Sequence, residues 1–428
     1  MEADPPLPAP HRRRPILGPW LVVGALWVVA CLNYLARNMV TTMHGSLVAA
    51  IPMSEAQFGL LTSAFLCVYG AASPFAGFLS DRFGRTRVII TALLVWSTVT
   101  WLTAYASDFR QLLGMRVLMA LSEVCYMPAG MALIADYHRG DTRGLAVGIH
   151  QTALAMGGMF ASIGGWIAEE HGWSYAFALV GLPSLAYGLL LATVLRDVPR
   201  DDGRAAAASA PASRLHLRTA LASLLGNGSY LLLLGCVVCV DGLSWIMVGW
   251  MPTYMVEHFN LGQGAAGFSA TSYLTISYMG GLILGGLWSD RWGRSNRRSR
   301  IFVSVIGLIM ATPGLLVAAH TPSLLLAIGG LLGLGLFRAF WSANLMPIFC
   351  LVSDPRYRAT GYGIINMAST FTGGLGIFAA GVLRDRHVAF GDVFNVMAGG
   401  QLCAACLLLM IRLIEPDPIQ PVAAAAAV

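Results

Sequence analysis

Gly77-Phe-Leu-Ser-Asp-Arg-Phe-Gly-Arg85 and Gly286-Leu-Trp-Ser-Asp-Arg-Trp-Gly-Arg294 are two copies of one short, charged turn. Each follows an apolar run and precedes another. Asp81 and Asp290 stand 209 residues apart in a chain of 428, so one copy falls in each half. The chain therefore reads as a duplicated architecture, the kind found in membrane proteins whose two halves rock against each other.

Composition agrees with that reading. Hydrophobic residues make up 57% of the chain and charged residues only 11%, against about 25% charged in an average soluble domain. Nearly every apolar segment reaches the roughly 20 residues needed to cross a bilayer. The expected fold class is an all-α membrane protein with the lipid bilayer as its surroundings. The first span begins near Leu17, is too long for a cleaved signal and lacks a small-residue cleavage pattern. The net charge of +6 comes from arginines in the loops, for the chain has no lysine, and it does not point to nucleic acid. Eight cysteines, among them Cys67, Cys125, Cys236 and Cys239, sit mostly inside spans. They read as small apolar residues, not as metal ligands. A phosphate loop with lysine, a metal cluster and a nucleophile–base pair are all missing, so neither an enzyme nor an ATP-driven pump is expected, and no cofactor.

Twelve spans are expected, at 17–42, 54–79, 87–106, 109–136, 143–167, 172–195, 222–254, 264–288, 301–319, 323–351, 358–383 and 390–413. The seventh is too long to be wholly embedded, and Ala222–Asn227 reads as a surface segment. Asp197–Arg218 is charged and rich in Ala, Ser and Pro, a linker by composition. The expected organisation is a tail at 1–16, a six-helix bundle at 17–196, a linker at 197–221, a second bundle at 222–414 and a tail at 415–428. Arginines gather in the N-terminal tail (Arg12, Arg13, Arg14), in loop 2–3 (Arg82, Arg85, Arg87) and in loop 4–5 (Arg139, Arg143). They gather again in the linker, in loop 8–9 (Arg291, Arg294, Arg297, Arg298, Arg300) and in loop 10–11 (Arg356, Arg358). Arg110, Arg384 and Arg386 are the exceptions on the other face. The positive-inside rule then places both termini in the cytoplasm of a plasma (inner) membrane.

The repeat extends past the two turns. Arg143-Gly-Leu-Ala-Val-Gly148 opens span 5 and Arg358-Ala-Thr-Gly-Tyr-Gly363 opens span 11, while Tyr69 and Tyr278 each precede their motif aspartate by twelve residues. On these motifs the chain resembles the major facilitator superfamily over essentially its whole length. The first turn matches that family's signature at every key position; the second has Trp288 where the first has Leu79. The resemblance implies two six-helix bundles working by alternating access, and a monomer is expected. It also implies a conformational latch built from Gly77, Asp81, Arg82, Gly84 and Arg85, from Asp290, Arg291, Gly293 and Arg294, and from Arg143 and Arg358. In mechanical terms Gly77 permits close helix approach, Gly84 a tight turn, and Asp81 can cap a helix or pair with an arginine. A plain topological anchor is the alternative.

Charges inside spans are costly and need a purpose or a partner. They are Arg37 in span 1, Arg116 and Glu123 in span 4, Asp241 in span 7 and Arg338 in span 10. Arg116 and Glu123, seven apart, share a helix face, as do Asn33 and Arg37, four apart. Glu123 and Arg338 hold equivalent places, each twenty residues before Arg143 or Arg358. Burial favours the neutral form of a carboxylate and a neighbouring arginine the charged form, so Glu123 is the candidate carrier of a coupling proton, with Asp241 the second. The arginines are candidates for an anionic substrate. A static Arg116–Glu123 pair holding span 4 to span 1 is the structural alternative. Tyr126, His150, Gln151, Trp245, Tyr273, Tyr278, Trp341, Asn344 and Asn366 are candidate cavity residues. The doublets Gly157-Gly158, Gly164-Gly165 and Gly373-Gly374 read as close helix contacts.

A narrower resemblance follows. Asn33-Tyr-Leu-Ala-Arg37 is similar to the Asn-Tyr-x-Asp-Arg segment of the anion:cation symporters, which move sugar acids and other organic anions with protons or sodium. Arg116 and Glu123 followed by Pro128 resemble the same group's fourth span, with Ala120 where that pattern has Gly, and Tyr69 fits its helix 2 tyrosine. The resemblance implies that Arg37 and Tyr69 bind a substrate carboxylate and that Glu123 takes the proton. Ala36 stands where the group has Asp, so a helix 1 acid is missing. Spinster-type lipid transporters carry a similar pattern. Organophosphate antiporters fit less well, since the span 7 position matching Arg37 falls near Trp245 and Ile246. The expectation is proton-coupled symport of a small organic anion. Its rivals are efflux of an amphipathic drug or lipid, and a non-transporting sensor on the same scaffold.

Overall fold

The computed structural model describes residues 18–138, 142–197, 217–354 and 357–413. The tails at 1–16 and 415–428, most of the 197–221 linker, and Arg139 and Arg356 lie outside the described residues. Among the described residues there is no strand. The helices of the first repeat are α1 (Pro19–Thr42), α2 (His44–Ala50), α3 (Glu55–Phe83), α4 (Arg85–Thr103), α5 (Phe109–Glu123), α6 (Tyr126–Tyr137), α7 (Arg143–Phe160), α8 (Ser162–His171) and α9 (Trp173–Val194). Then come α10 (Leu217–Leu225), α11 (Gly228–Val237), a π-helical turn (Val238–Gly242), α12 (Leu243–Phe259), α13 (Gln263–Gly293), α14 (Ser299–His320), α15 (Leu324–Val352), α16 (Arg358–Asp385) and α17 (Phe390–Met410).

Ten of the resulting stretches are long and apolar enough to cross a membrane. The two remaining long stretches, α7 with α8 and α13, are diluted by glycine, serine, threonine and glutamine, residues that suit helix contacts more than lipid. The seventh stretch departs from its expected bounds. The amphipathic α10 is a separate helix, and Asn227 then starts α11 by accepting from the amides of Ser229 and Tyr230. The span proper therefore runs from Gly228 to Phe259. Other starts are also set by side chains. Ser54 and Gln57 form a reciprocal capping box on α3, and Asp108 caps α5 through the Gln111 amide.

The chain divides into two compact units, Met1–Arg214 with Val248–Thr271, and Leu215–Met247 with Ser272–Val428. The segment Val248–Thr271 is tied into the first unit. The Ser46 amide donates to Gln263 Oε1 at 3.1 Å, Gln263 Nε2 donates to Ser46 Oγ at 2.7 Å, and the Glu169 carboxylate accepts from the amides of Gln263 and Gly264. Within the first unit α1 packs on α7 at Gly157, where a Cβ would run into the Cys31 carbonyl and Tyr34, and a Cβ on Gly164 would run into Met39. In the second unit Gly373 lies against the Trp245 indole. That unit's core gathers Tyr230, Val237, Trp341, Phe349 and Leu408. Close backbone approach of this kind is what drives helix association where lipid removes the hydrophobic incentive.

Candidate functional site

The first unit carries a buried charged centre. α1 supplies Asn33, Tyr34 and Arg37 on one face, α3 supplies Phe65 and Tyr69 four residues apart, and α5 supplies Arg116 and its last residue, Glu123. Arg37 is 5% exposed and Glu123 0%. Arg37 Nε and Nη2 donate to the same oxygen, Glu123 Oε2, at 3.1 and 3.0 Å, and Nη2 also reaches Asn33 Oδ1 at 3.4 Å. Three rings surround the guanidinium, with centroids at 4.6 Å (Tyr34), 4.8 Å (Phe65) and 4.7 Å (Tyr69). Cation–π contact of this kind compensates part of the lost hydration. Glu123 Oε1 and Asn33 Nδ2 are buried and make no well-formed hydrogen bond, though Asn33 lies close enough to interact with the Glu123 carboxylate.

Arg116 has a different place from the one expected. The sequence pairs it with Glu123 or offers it to substrate. Instead it donates to the backbone carbonyls of Arg37 (3.1 Å) and Leu61 (3.4 Å), lies 4.8 Å from the Phe65 centroid and is 1% exposed. It ties α5 to α1 and α3. Glu123 is left to Arg37, and that pair, not Arg116–Glu123, joins span 4 to span 1. Tyr126 and His150, expected to meet substrate, are both 0% exposed. Tyr126 Oη donates to the Leu26 carbonyl at 2.7 Å and sits 2.8 Å from His150 Nε2, which joins α6 to α1 and α7. Their bonds are helix ties in this conformation. Gln151, the next residue, is exposed.

The second unit has its own pair, with the charges exchanged between helices. Asp241, in the π-helical turn, accepts from Arg338 Nη2 at 3.2 Å and from Trp341 Nε1 at 3.1 Å. The acid thus sits on the seventh span and the arginine on the tenth, whereas the first unit has arginine on the first span and acid on the fourth. Asn344 is 0% exposed, donates to the Phe340 carbonyl and accepts from Arg300 at 3.4 Å. Tyr278 is half-buried and Asn366 exposed.

At the first charged turn Gly84 has φ +89°, a conformation essentially reserved for glycine, and Arg85 pairs with Asp136 while donating to the Ala132 carbonyl at 2.6 Å. The Thr86 amide is capped by Asp197 at 2.9 Å. Arg82 lies 5.6 Å from the Phe83 centroid. The surroundings of Gly77 and the Asp81 side chain lie outside what is described. At the second turn Asp290 pairs with Arg300 at 2.7 Å, Gly293 lies near Ser299 Oγ, the Arg294 amide donates to the Arg291 carbonyl, and Arg358 donates to the Cys350 carbonyl at 2.9 Å. Arg143 is the first residue of α7. Sequence reasoning missed four partners, Phe65, Asp136, Asp197 and Arg300. Only the Phe65–Tyr69 spacing of one helical turn signals its residue in advance.

The family model described as Major Facilitator Superfamily matches residues 26–377. The probable galactarate/D-glucarate transporter GudP of Escherichia coli is 23% identical, aligned over 94% of this chain and 95% of that protein. The probable sulfoacetate transporter SauU of Cupriavidus necator is also 23% identical, over 93% and 95%. Among solved structures, a bacterial homolog of the human lysosomal transporter Spinster, in an inward-facing and occupied conformation, superposes with a TM-score of 0.72 at 20% identity, over 92% of this chain and 94% of that one. The chain belongs to the Major Facilitator Superfamily and is homologous, over nearly its whole length, to transporters of sugar acids and other organic anions.

Proposed function

We propose that this protein carries a small carboxylate, a sugar acid or a related organic anion, together with a proton by alternating access. The observation that supports this most is the grip of Arg37 on Glu123 inside an aromatic cage. Arg37, Arg116 and Glu123 leave one excess positive charge in a buried site, a standing attraction for an anion. A charged Glu123 occupies Arg37 as an internal substitute for substrate. A protonated Glu123 loses the charge-assisted part of that bond, and the planar donors of Arg37 become available to an external carboxylate. Proton and anion thereby favour each other's binding, and that mutual dependence is symport. Tyr34 and Tyr69, each only partly buried, supply walls that carry hydroxyls.

Galactarate, glucarate and sulfoacetate, the cargoes named for the two relatives, are all small anions, and they define the panel to test. The arginine bias supports placing both termini in the cytoplasm; the reading is completed by a plasma-membrane monomer whose repeats at 17–196 and 222–414 are the moving bodies. The test is ligand-induced thermal stabilisation of the purified protein by a carboxylate panel at acid pH. At least one member should raise the melting temperature of the wild type and leave Arg37→Gln unchanged. Stabilisation by lysophospholipids or amphipathic amines, with none by any carboxylate, would overturn the reading in favour of efflux.

A further inference from the structure

An open groove of about 480 Å³ runs along the outside of the first unit between α3, α4 and α5. Leu79 and Phe83 of α3 and Arg87 of α4 form one end, and Val95 and Leu118 the other. Its walls are apolar and uncovered. Phe83 is 56% exposed and Leu118 49%. From Arg87 to Val95 the helix rises about 12 Å, close to half of the roughly 30 Å hydrocarbon core of a bilayer. The groove is thus one leaflet deep. Among its described lining residues the one charged side chain is Arg87, in the first turn of α4 and exposed on the arginine-rich face.

An apolar slot of leaflet depth ending at an exposed guanidinium has the shape and charge of one ligand class. The slot accepts an acyl chain, and the arginine meets a phosphate at headgroup level. The second unit carries the same combination independently. There, a groove of about 620 Å³ has Leu231, Leu232, Leu407 and Met410 along its wall and the exposed Arg412 at one end. We infer that the groove between α3, α4 and α5 is a binding site for an anionic phospholipid, with an acyl chain against Val95, Leu118 and Leu121 and the phosphate on Arg87.

The site's position gives it a consequence. Ser122 and Cys125 line the groove on either side of Glu123 and Val124, where α5 ends. A lipid seated there packs against the outer side of the helical turn whose inner side holds the Arg37–Glu123 pair. The inference does not depend on which solute the protein carries.

Cys125 provides a local reporter. The purified full-length protein is delipidated in detergent and supplied with dioleoyl-phosphatidylglycerol or dioleoyl-phosphatidylcholine. Alkylation of Cys125 by N-ethylmaleimide is then followed by peptide mass spectrometry. The expected result is protection of Cys125 at about fivefold lower phosphatidylglycerol than phosphatidylcholine. That preference should disappear in Arg87→Gln and persist in Arg412→Gln. Equal protection by the two lipids in the wild type would overturn the site. So would a preference that survives Arg87→Gln, or one that Arg412→Gln removes as well.

Discussion

Arg37 closes two donors, Nε and Nη2, on a single oxygen of Glu123, at 3.1 and 3.0 Å, while the other oxygen, Oε1, is buried and makes no well-formed hydrogen bond. The pair is firm but not fully matched, since a guanidinium fork can engage both oxygens of a carboxylate. In the proposed mechanism, a substrate carboxylate free to present two oxygens would displace a protonated Glu123.

The first prediction concerns the fork. Arg37→Lys keeps the charge but replaces a planar donor set with a point charge. The half-saturation concentration for substrate uptake should rise at least about tenfold, a loss of roughly 1.4 kcal/mol in binding. Uptake kinetics in proteoliposomes check this. An unchanged value would remove Arg37 from the binding site.

The second concerns pH. In the proposed symport, substrate needs Arg37 released, and release needs a proton on Glu123. Affinity for the anion should therefore weaken as pH rises in the wild type and stay flat in Glu123→Gln. Calorimetric titration in two buffers of different ionisation enthalpy counts the protons taken up with the anion. Zero uptake by the wild type contradicts the linkage.

How far the site was legible in the sequence follows from the kind of signal each residue leaves. The repeated turn, the arginine bias and the intramembrane charges Arg37, Glu123, Asp241 and Arg338 are local features with a large energetic penalty attached, so they stand out. Partner choice is not local. Arg116 and Glu123 share a helix face, yet Arg116 turns to the carbonyls of Arg37 and Leu61 while Glu123 meets Arg37, 86 residues away. Nothing in spacing alone separates these outcomes. His150 and Tyr126 look like ligands by composition, while in this conformation their bonds tie helices together. The surface segment at Ala222–Asn227 was legible from the excess length of the seventh stretch, and the Asn227 cap fixes the residue at which the span begins.

A third prediction tests those ties. Tyr126→Phe removes the bond to Leu26 and leaves His150 Nε2 alone in the interior, which should cost about 1–3 kcal/mol of stability. The melting temperature should fall while the half-saturation concentration for substrate stays within twofold, an approximate limit set by indirect effects. A large rise in that concentration at unchanged stability would instead return Tyr126 to the substrate site.

The fourth addresses the second unit. Asp241→Asn strands Arg338, whose Nε already lacks a partner, and should destabilise by about 3 kcal/mol or somewhat less given the pair's partial exposure. Asp241→Asn combined with Arg338→Gln should recover most of the loss, because no uncompensated charge remains. The thermal-denaturation cycle reads out the coupling. Strictly additive losses would mean that the two side chains do not depend on each other.

Proton uptake into proteoliposomes on addition of carboxylates, with wild type and Glu123→Gln side by side, reads out the proposed role of Glu123 as carrier of the coupling proton. The account predicts proton uptake with at least one anion in the wild type only, while downhill anion exchange survives in the variant. Identical coupling in both proteins, or no proton movement with any anion, would contradict it.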